Sequence, residues 1–154
     1  MYLTQMLLNP ERRSTRDILA SPQRMHAAVL SSFLPGTADS GRILWRLDRP
    51  DRHRLELYVV SPEQPSLEAM ADQAGWPNQP AWRTADYGPF LSRLDKGQQW
   101  VFRLRANPIK SIRTTPDQRG RRVPLVRTEE QIRWLIERGE RRGFTLGDGM
   151  HGPN

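Results

Sequence analysis

Four stretches of the chain are rich in apolar and β-compatible residues, mostly in alternation with polar ones, a pattern typical of β-strands. They span residues 2–8, 43–47, 55–59 and 100–104. A polar segment that contains Pro50 joins the second stretch to the third, which predicts a β-hairpin. The tryptophans in these stretches follow the same alternation, so we expect them to pack in the core rather than to stack on a ligand.

Two helices are predicted from apolar residues that recur every three or four positions. The first begins at Ser21-Pro22, because serine caps a helix and proline fits the first turn. Met25 and Val29 fall on its apolar face. The second helix covers residues 66–74 and is shorter.

The segments between these elements have weaker patterns. We expect residues 11–17 to be a basic linker, 76–89 to be irregular because they are rich in Pro and Trp, and 90–94 to be a short strand. With a last strand within residues 90–104, the order becomes β-α-β-β-α-β. That order predicts an α+β protein with a ferredoxin-like (RRM-like) fold.

A second group of elements follows along the chain. Residues 109–112 and 123–126 predict a hairpin with a basic tip, and Thr128 with Gln131 fits a capping box at the start of a helix that Gly143 ends. We therefore expect a ferredoxin-like domain at 1–96, the first part of a second one at 97–143, and a flexible tail at 144–154.

Composition narrows the class of protein. The 154 residues include no cysteine, which excludes disulfide scaffolds, cysteine nucleophiles and thiolate zinc sites. No apolar run approaches the roughly 18 residues of a membrane span, and the N-terminus lacks a signal-peptide pattern. We therefore expect a soluble protein that is not exported.

The net charge of +7 is concentrated in one quarter of the chain. Residues 103–142 contain twelve Arg or Lys against five Asp or Glu, whereas the remainder contains twelve of each. Nearly all the basic residues are arginine, whose planar guanidinium binds phosphate through two hydrogen bonds. This pattern favours a nucleic-acid partner, with a generally arginine-rich proteome as the alternative.

His26 is the candidate for acid–base chemistry. It lies early in the predicted first helix, where the positive helix end and the nearby Arg24 favour neutral imidazole, the form that acts as a general base. RNA is cleaved when a base removes the proton of a 2′-OH that attacks the adjacent phosphorus. The alternative is an ordinary surface histidine. His53 and His151 are not expected to act, and no metal site is expected.

The second hairpin is the candidate RNA-contacting segment. Its basic residues are Lys110, Arg113, Arg119, Arg121 and Arg122. Double-stranded RNA has a deep, narrow major groove, so proteins recognise mainly its shape and phosphates. A thin basic hairpin suits that task, and a solvated loop without a partner is the alternative.

Four sequence motifs are specific enough to indicate a family. They are MYLTQMLLNP, SPQRMHAAVLSSF, WVFRLRANPIKSI and RRVPLVRTEEQIRWL. Together they resemble CasE, the family of CRISPR precursor-RNA endoribonucleases of the type I-E Cascade complex, over residues 1 to about 142. The resemblance implies two tandem ferredoxin-like domains and metal-independent cleavage at the 3′ base of the repeat stem-loop, with the 2′-OH as nucleophile.

The resemblance also implies roles for particular residues. His26 falls at the family's catalytic histidine, and the second hairpin falls on its stem-contacting segment. The RNA-binding candidates are Arg24, Arg103, Arg105, Lys110, Arg113, Arg119, Arg121 and Arg122. The implied partners are the repeat stem-loop RNA, which stays bound after cleavage, and other Cascade subunits. No cofactor, membrane or small-molecule substrate is implied, and the implied location is cytoplasmic.

The sequence departs from the family pattern in two places. Gln23 stands where some members carry a tyrosine that assists catalysis, so the leaving 5′-oxygen would take its proton from His26 or from another group. Nothing after Gly143 resembles the remainder of the family's second domain. Two alternatives therefore stay open: a non-catalytic RNA-binding or scaffold protein of the same fold, and a basic protein–protein module that does not need RNA.

Overall fold

The computed structural model describes residues 1–37, 40–112 and 120–147. It divides into two compact units, Met1–Val101 and Phe102–Asn154. The predicted hairpin tip, including Arg113 and Arg119, and most of the predicted tail lie outside the described residues.

The first unit contains a single antiparallel sheet with helices between its strands. Its elements are β1 (Tyr2–Leu8), α1 (Arg13–Leu19), α2 (Pro22–Leu30), β2 (Leu44–Asp51), β3 (Arg54–Ser61), α3 (Glu68–Ala74), β4 (Trp82–Asp86) and α4 (Gly88–Leu91). The strand order across the sheet is β2-β3-β1-β4. The first and third strands are therefore central and the last strand pairs beside the first, which is the ferredoxin-like arrangement that the sequence predicts.

One face of this sheet carries the hydrophobic core. Met6 of β1 lies opposite Leu57 of β3, and Leu8 lies opposite Leu55. All four side chains are buried, and they pack with apolar residues of α2 and α3. The period-2 pattern of the strands therefore directs one set of side chains towards the helices.

Helix α2 begins where the sequence predicts. The Ser21 side chain accepts a hydrogen bond from the backbone N–H of Arg24 at 3.2 Å, and Pro22 occupies the first turn. Met25 and Val29 are buried against the sheet. The helix ends at Leu30.

The predicted linker at 11–17 is wrong, because helix α1 occupies most of it. The helix packs against the C-terminal end of α3, where the Ser14 hydroxyl donates to the carbonyl of Gln73 and Asn9 N–H donates to the carbonyl of Ala74 at 2.8 Å. Carbonyls at a helix end lack partners within the helix. The tertiary contact that satisfies them stabilises a segment whose own sequence has no clear helical periodicity.

The fourth strand lies at 82–86 and not at 100–104. Residues 82–86 pair with β1, with Met6 opposite Trp82 and Tyr2 opposite Asp86. No strand is present in the described residues 98–108, and Trp100 is 55% exposed, so its predicted core position is wrong. Residues 82–86, within the segment 76–89 that the sequence predicts to be irregular, already pair with this edge of β1.

The predicted strand at 90–94 is also wrong, because this segment begins within a short helix. Phe90 belongs to α4, and its ring stacks on Tyr87 at 5.2 Å and meets the edge of Trp100 at 5.2 Å. A turn follows at residues 96–97, with Gly97 at a φ of 89°. These aromatic contacts are local in sequence and do not need a strand.

The other face of the sheet carries a polar network centred on Tyr58. The Tyr58 hydroxyl donates to Glu56 Oε2 at 2.7 Å and accepts from Gln5 Nε2 at 2.9 Å. The Arg46 guanidinium lies over the tyrosine ring at 5.4 Å. Burial raises the pKa of Tyr58, and the hydrogen bond to Glu56 raises it further, so the hydroxyl remains a donor at neutral pH.

We expect Tyr58→Phe to lower the free energy of unfolding by about 1–2 kcal/mol, because Glu56 is 7% exposed and loses a partner. Denaturant titration measures this loss, and it should shrink as the pH rises above about 10, where the tyrosine of the unfolded chain ionises first. Tyr87→Phe is the matched control, since its ring contact with Phe90 survives the change. Equal losses in the two variants would contradict the network.

The second unit contains a hairpin followed by a helix. The predicted hairpin is present, because β5 (Ile109–Ile112) pairs with β6 (Arg121–Pro124) in antiparallel register, but β6 lies two residues earlier than the predicted 123–126. Helix α5 covers Thr128–Arg142. Leu125 is buried, and its N–H donates to the carbonyl of Pro108 at 2.9 Å. The Phe102 ring meets the edge of Phe144 with centroids 6.1 Å apart.

The start of α5 differs from the predicted capping box. Arg127 is the N-cap residue and makes no side-chain cap, while Thr128 is already helical. The Gln131 amide reaches back to donate to the carbonyl of Leu125 at 2.9 Å. Gly143 ends the helix with a φ of 83°, in the left-handed region that glycine adopts readily, as the sequence predicts.

Candidate active site and basic surface

His26 lies on the exposed side of α2, next to the buried Met25. Its Nδ1 is 3.3 Å from Nε1 of Trp45, on the edge strand β2. Trp45 is half-buried and packs against the core, as the sequence predicts. The histidine is therefore accessible to a ligand, and its ring is oriented by a side chain that the fold holds in place.

Arg24 precedes His26 by two positions and is also exposed. Its guanidinium donates to the carbonyl of Asp17 near the end of α1 at 3.3 Å. Such a bond satisfies a carbonyl that has no partner within its own helix. In this arrangement Arg24 connects α2 to α1 while its side chain stays exposed, two positions before His26.

Arg121 and Arg122 lie on opposite faces of the second hairpin. Arg121 pairs with Ile112 and Arg122 with Ser111, and neighbouring strand residues point to opposite sides. Both arginines are exposed. A two-stranded ribbon with one guanidinium on each face can contact phosphates on both of its sides.

Lys110 lies on the same face of the hairpin as Arg121. Its ammonium is paired with Glu130 of α5 at 3.1 Å, and about half of the lysine side chain is exposed. Screening by solvent makes such a pair weak. Lys110 therefore connects the hairpin to the helix and remains accessible to an anion.

Arg103 and Arg105 are exposed in the extended segment that opens the second unit. The structure groups the described site candidates in two sets: Arg24 and His26 in the first unit, and Arg103, Arg105, Lys110, Arg121 and Arg122 in the second. Arg113 and Arg119 lie outside the described residues. Helix α5 adds basic residues at its C-terminal end, Arg141 and Arg142.

The contact of His26 with Trp45 has no signal in the sequence. The two residues are 19 positions apart, and each has an ordinary local role, one at a helix surface and one on a strand. Among the described residues, no group of three or more His, Asp or Glu side chains is arranged to hold a metal ion, and no helix is long and apolar enough to cross a membrane.

The described residues thus define a ferredoxin-like unit with an exposed histidine, followed by a unit with an arginine-bearing hairpin. A family model described as "CRISPR associated protein" matches residues 1–152. The chain therefore belongs to this family of CRISPR-associated proteins, as its motifs indicate. It is 37% identical over 163 residues to the CRISPR-associated endoribonuclease Cse3 of Thermus thermophilus, an alignment that covers 99% of this chain and 68% of the relative.

Solved structures agree with the sequence comparison. A Cse3 bound to a 19-nucleotide RNA matches with a TM-score of 0.77 and 31% identity, over 96% of this chain and 71% of that one. Thermus thermophilus Cse3 bound to an RNA that represents a pre-cleavage complex matches with the same score and identity, over 99% and 70%. Cse3 is a member of the CasE family. These matches therefore confirm the resemblance to that family.

Proposed function

We propose that this protein is an endoribonuclease that cleaves CRISPR repeat stem-loops in precursor CRISPR RNA. The observation that carries the proposal is the match to Cse3 in complex with RNA, over nearly the whole chain. The exposed His26 and the arginines on both faces of the hairpin supply the two kinds of group that RNA cleavage requires. They are a proton acceptor and cations that bind phosphate.

In the proposed mechanism His26 acts as the general base and no metal takes part. The imidazole removes the proton of the 2′-OH, whose oxygen bonds to the adjacent phosphorus while the bond from phosphorus to the 5′-oxygen breaks. The products are a 2′,3′-cyclic phosphate and a 5′-hydroxyl. The leaving oxygen takes its proton from water or from protonated His26, because Gln23, at the position of the family's assisting tyrosine, has no ionisable group.

The RNA in this proposal is bound mainly through its phosphates. Arg24 lies beside the histidine in sequence, while Arg103, Arg105, Lys110, Arg121 and Arg122 belong to the second unit. Arg113 and Arg119, which lie outside the described residues, complete the proposed set. Phosphate contacts carry no sequence information. Their role in this proposal is to fix the position and orientation of the RNA stem.

We further propose that the cleaved stem-loop stays bound and that the protein joins other Cascade subunits in the cytoplasm. Residues 97–143 would form the first part of a second ferredoxin-like domain, and 1–96 the domain with the histidine. Continued binding to the product is consistent with a site whose affinity comes from phosphates that cleavage leaves in place.

Incubation with an end-labelled repeat hairpin in excess EDTA tests the proposal. We expect one cut at the 3′ base of the stem, with a cyclic phosphate on the upstream product and a 5′-hydroxyl on the other. A hairpin with a 2′-deoxy nucleotide at the cut site is the control and should remain intact. Binding without a cut would instead support a non-catalytic RNA-binding protein, and cleavage only with added metal would contradict the mechanism.

A further inference from the structure

The hydrogen bond between Trp45 and His26 determines where the imidazole carries its hydrogen. Nε1 of Trp45 lies 3.3 Å from Nδ1 of His26. An indole nitrogen is a donor only, so Nδ1 is the acceptor and carries no hydrogen. The neutral ring of His26 therefore has its hydrogen on Nε2.

This arrangement limits how His26 takes up a proton. Nε2 already carries a hydrogen, and the lone pair of Nδ1 is directed at the indole N–H. A doubly protonated imidazole has donors at both nitrogens and accepts no hydrogen bond. Proton transfer to His26 and the hydrogen bond from Trp45 therefore exclude each other.

We propose that Trp45 caps the basic lone pair of His26 in the RNA-free protein and in the initial RNA complex, and that the 2′-OH of the bound RNA replaces the indole at Nδ1 at the start of the cleavage step. This inference rests on the proposed function, in which His26 is the general base. The 2′-hydroxyl proton passes to Nδ1 as the 2′-oxygen bonds to phosphorus. The bond from phosphorus to the 5′-oxygen breaks, and that oxygen takes a proton from water. Trp45 acts through His26 and is a positioning residue.

The fold fixes both partners of this hydrogen bond. Trp45 pairs with the buried Val59 across β2 and β3, and its ring packs against the core. His26 follows the buried Met25 on α2, but its own side chain is exposed. A rotation of the imidazole alone can therefore exchange the indole for a ligand hydroxyl, with both backbones in place.

Replacement of Trp45 by benzothienylalanine tests the inference, because sulfur takes the place of the N–H while the bicyclic shape is kept. We expect the single-turnover cleavage rate at saturating repeat hairpin to rise about 2- to 10-fold, since no indole bond must be broken. The dissociation constant for the RNA should not change. The same replacement at Trp100, whose Nε1 donates to Gln98 at 3.1 Å, should change neither value. An equal or lower rate in the Trp45 variant would overturn the proposal.

Proton NMR of the RNA-free protein provides a second test that does not depend on cleavage. We expect the Trp45 indole resonance to move upfield in His26→Ala, while the Trp100 indole resonance stays in place. A Trp45 resonance that does not move would disprove the cap whether or not the RNA is cut. A resonance that moves, in a protein that cuts no RNA, would support the cap and contradict the proposed function.

Discussion

Replacement of His26 by alanine is expected to reduce cleavage of the repeat hairpin by about 100- to 10,000-fold, the range that a positioned general base contributes. Because the side chain is exposed and bonds only to Trp45 among the described residues, the variant should fold as the parent does. RNA affinity should be unchanged, since the proposed phosphate contacts come from arginines and a lysine. Single-turnover kinetics at saturating RNA, together with a filter-binding isotherm, measure both quantities.

His53→Ala is the matched control for this experiment. His53 is also an exposed histidine of the first unit, in the turn between β2 and β3, where its backbone N–H donates to Asp51. Its loss should leave the cleavage rate unchanged. Undiminished cleavage by His26→Ala would show that another group is the base and would reject this assignment.

The double variant Arg121→Ala, Arg122→Ala is expected to bind the stem-loop more weakly and with a shallower dependence on salt. Each arginine that contacts a phosphate releases about one counterion, so the slope of log K against log salt should fall by about two. At about 0.15 M salt, the same relation predicts a loss of affinity of about 30-fold. Titrations at several salt concentrations give both values.

Single variants of these two arginines distinguish two ways in which the hairpin can contact the RNA. They lie on opposite faces of the hairpin, so each single variant should remove about one unit of slope if the ribbon enters a groove between two phosphate strands. A hairpin that lies flat on the RNA would lose slope with one of them alone. Arg49→Ala, Arg52→Ala removes equal charge from two exposed positions at the β2–β3 turn of the first unit and should leave the slope unchanged. Equal slopes in all variants would show that the RNA does not contact this hairpin.

Much of the fold could be predicted from local pattern. The hairpin of β2 and β3 follows from its alternation, and the start of α2 follows from Ser21-Pro22, whose cap is formed as expected. The end of α5 at Gly143 follows from the freedom of glycine at positive φ. In each case the decisive interactions join residues close in sequence, so the pattern contains the necessary information.

The remaining errors have a common physical origin in contacts distant along the chain. Helix α1 is stabilised by carbonyls of α3 about 60 residues away, as in the bond from Ser14 to Gln73. Strand β4 forms because its pairing with β1, about 80 residues earlier, outweighs a composition that is poor in strand signals. Residues 100–104 have the better alternation, but the edge of β1 is already occupied.

The candidate functional site, like the fold, could be predicted from the sequence only in part. The sequence alone determined the identity of His26, the concentration of arginine in residues 103–142, and the family motifs, because these depend on residue type and spacing. Only the tertiary structure decided that Trp45 donates to His26, and that β6 begins at Arg121, so that Arg121 and Arg122 are strand residues on opposite faces of the hairpin. Hydrogen-bond partners and faces depend on how distant segments pack, which no local pattern records.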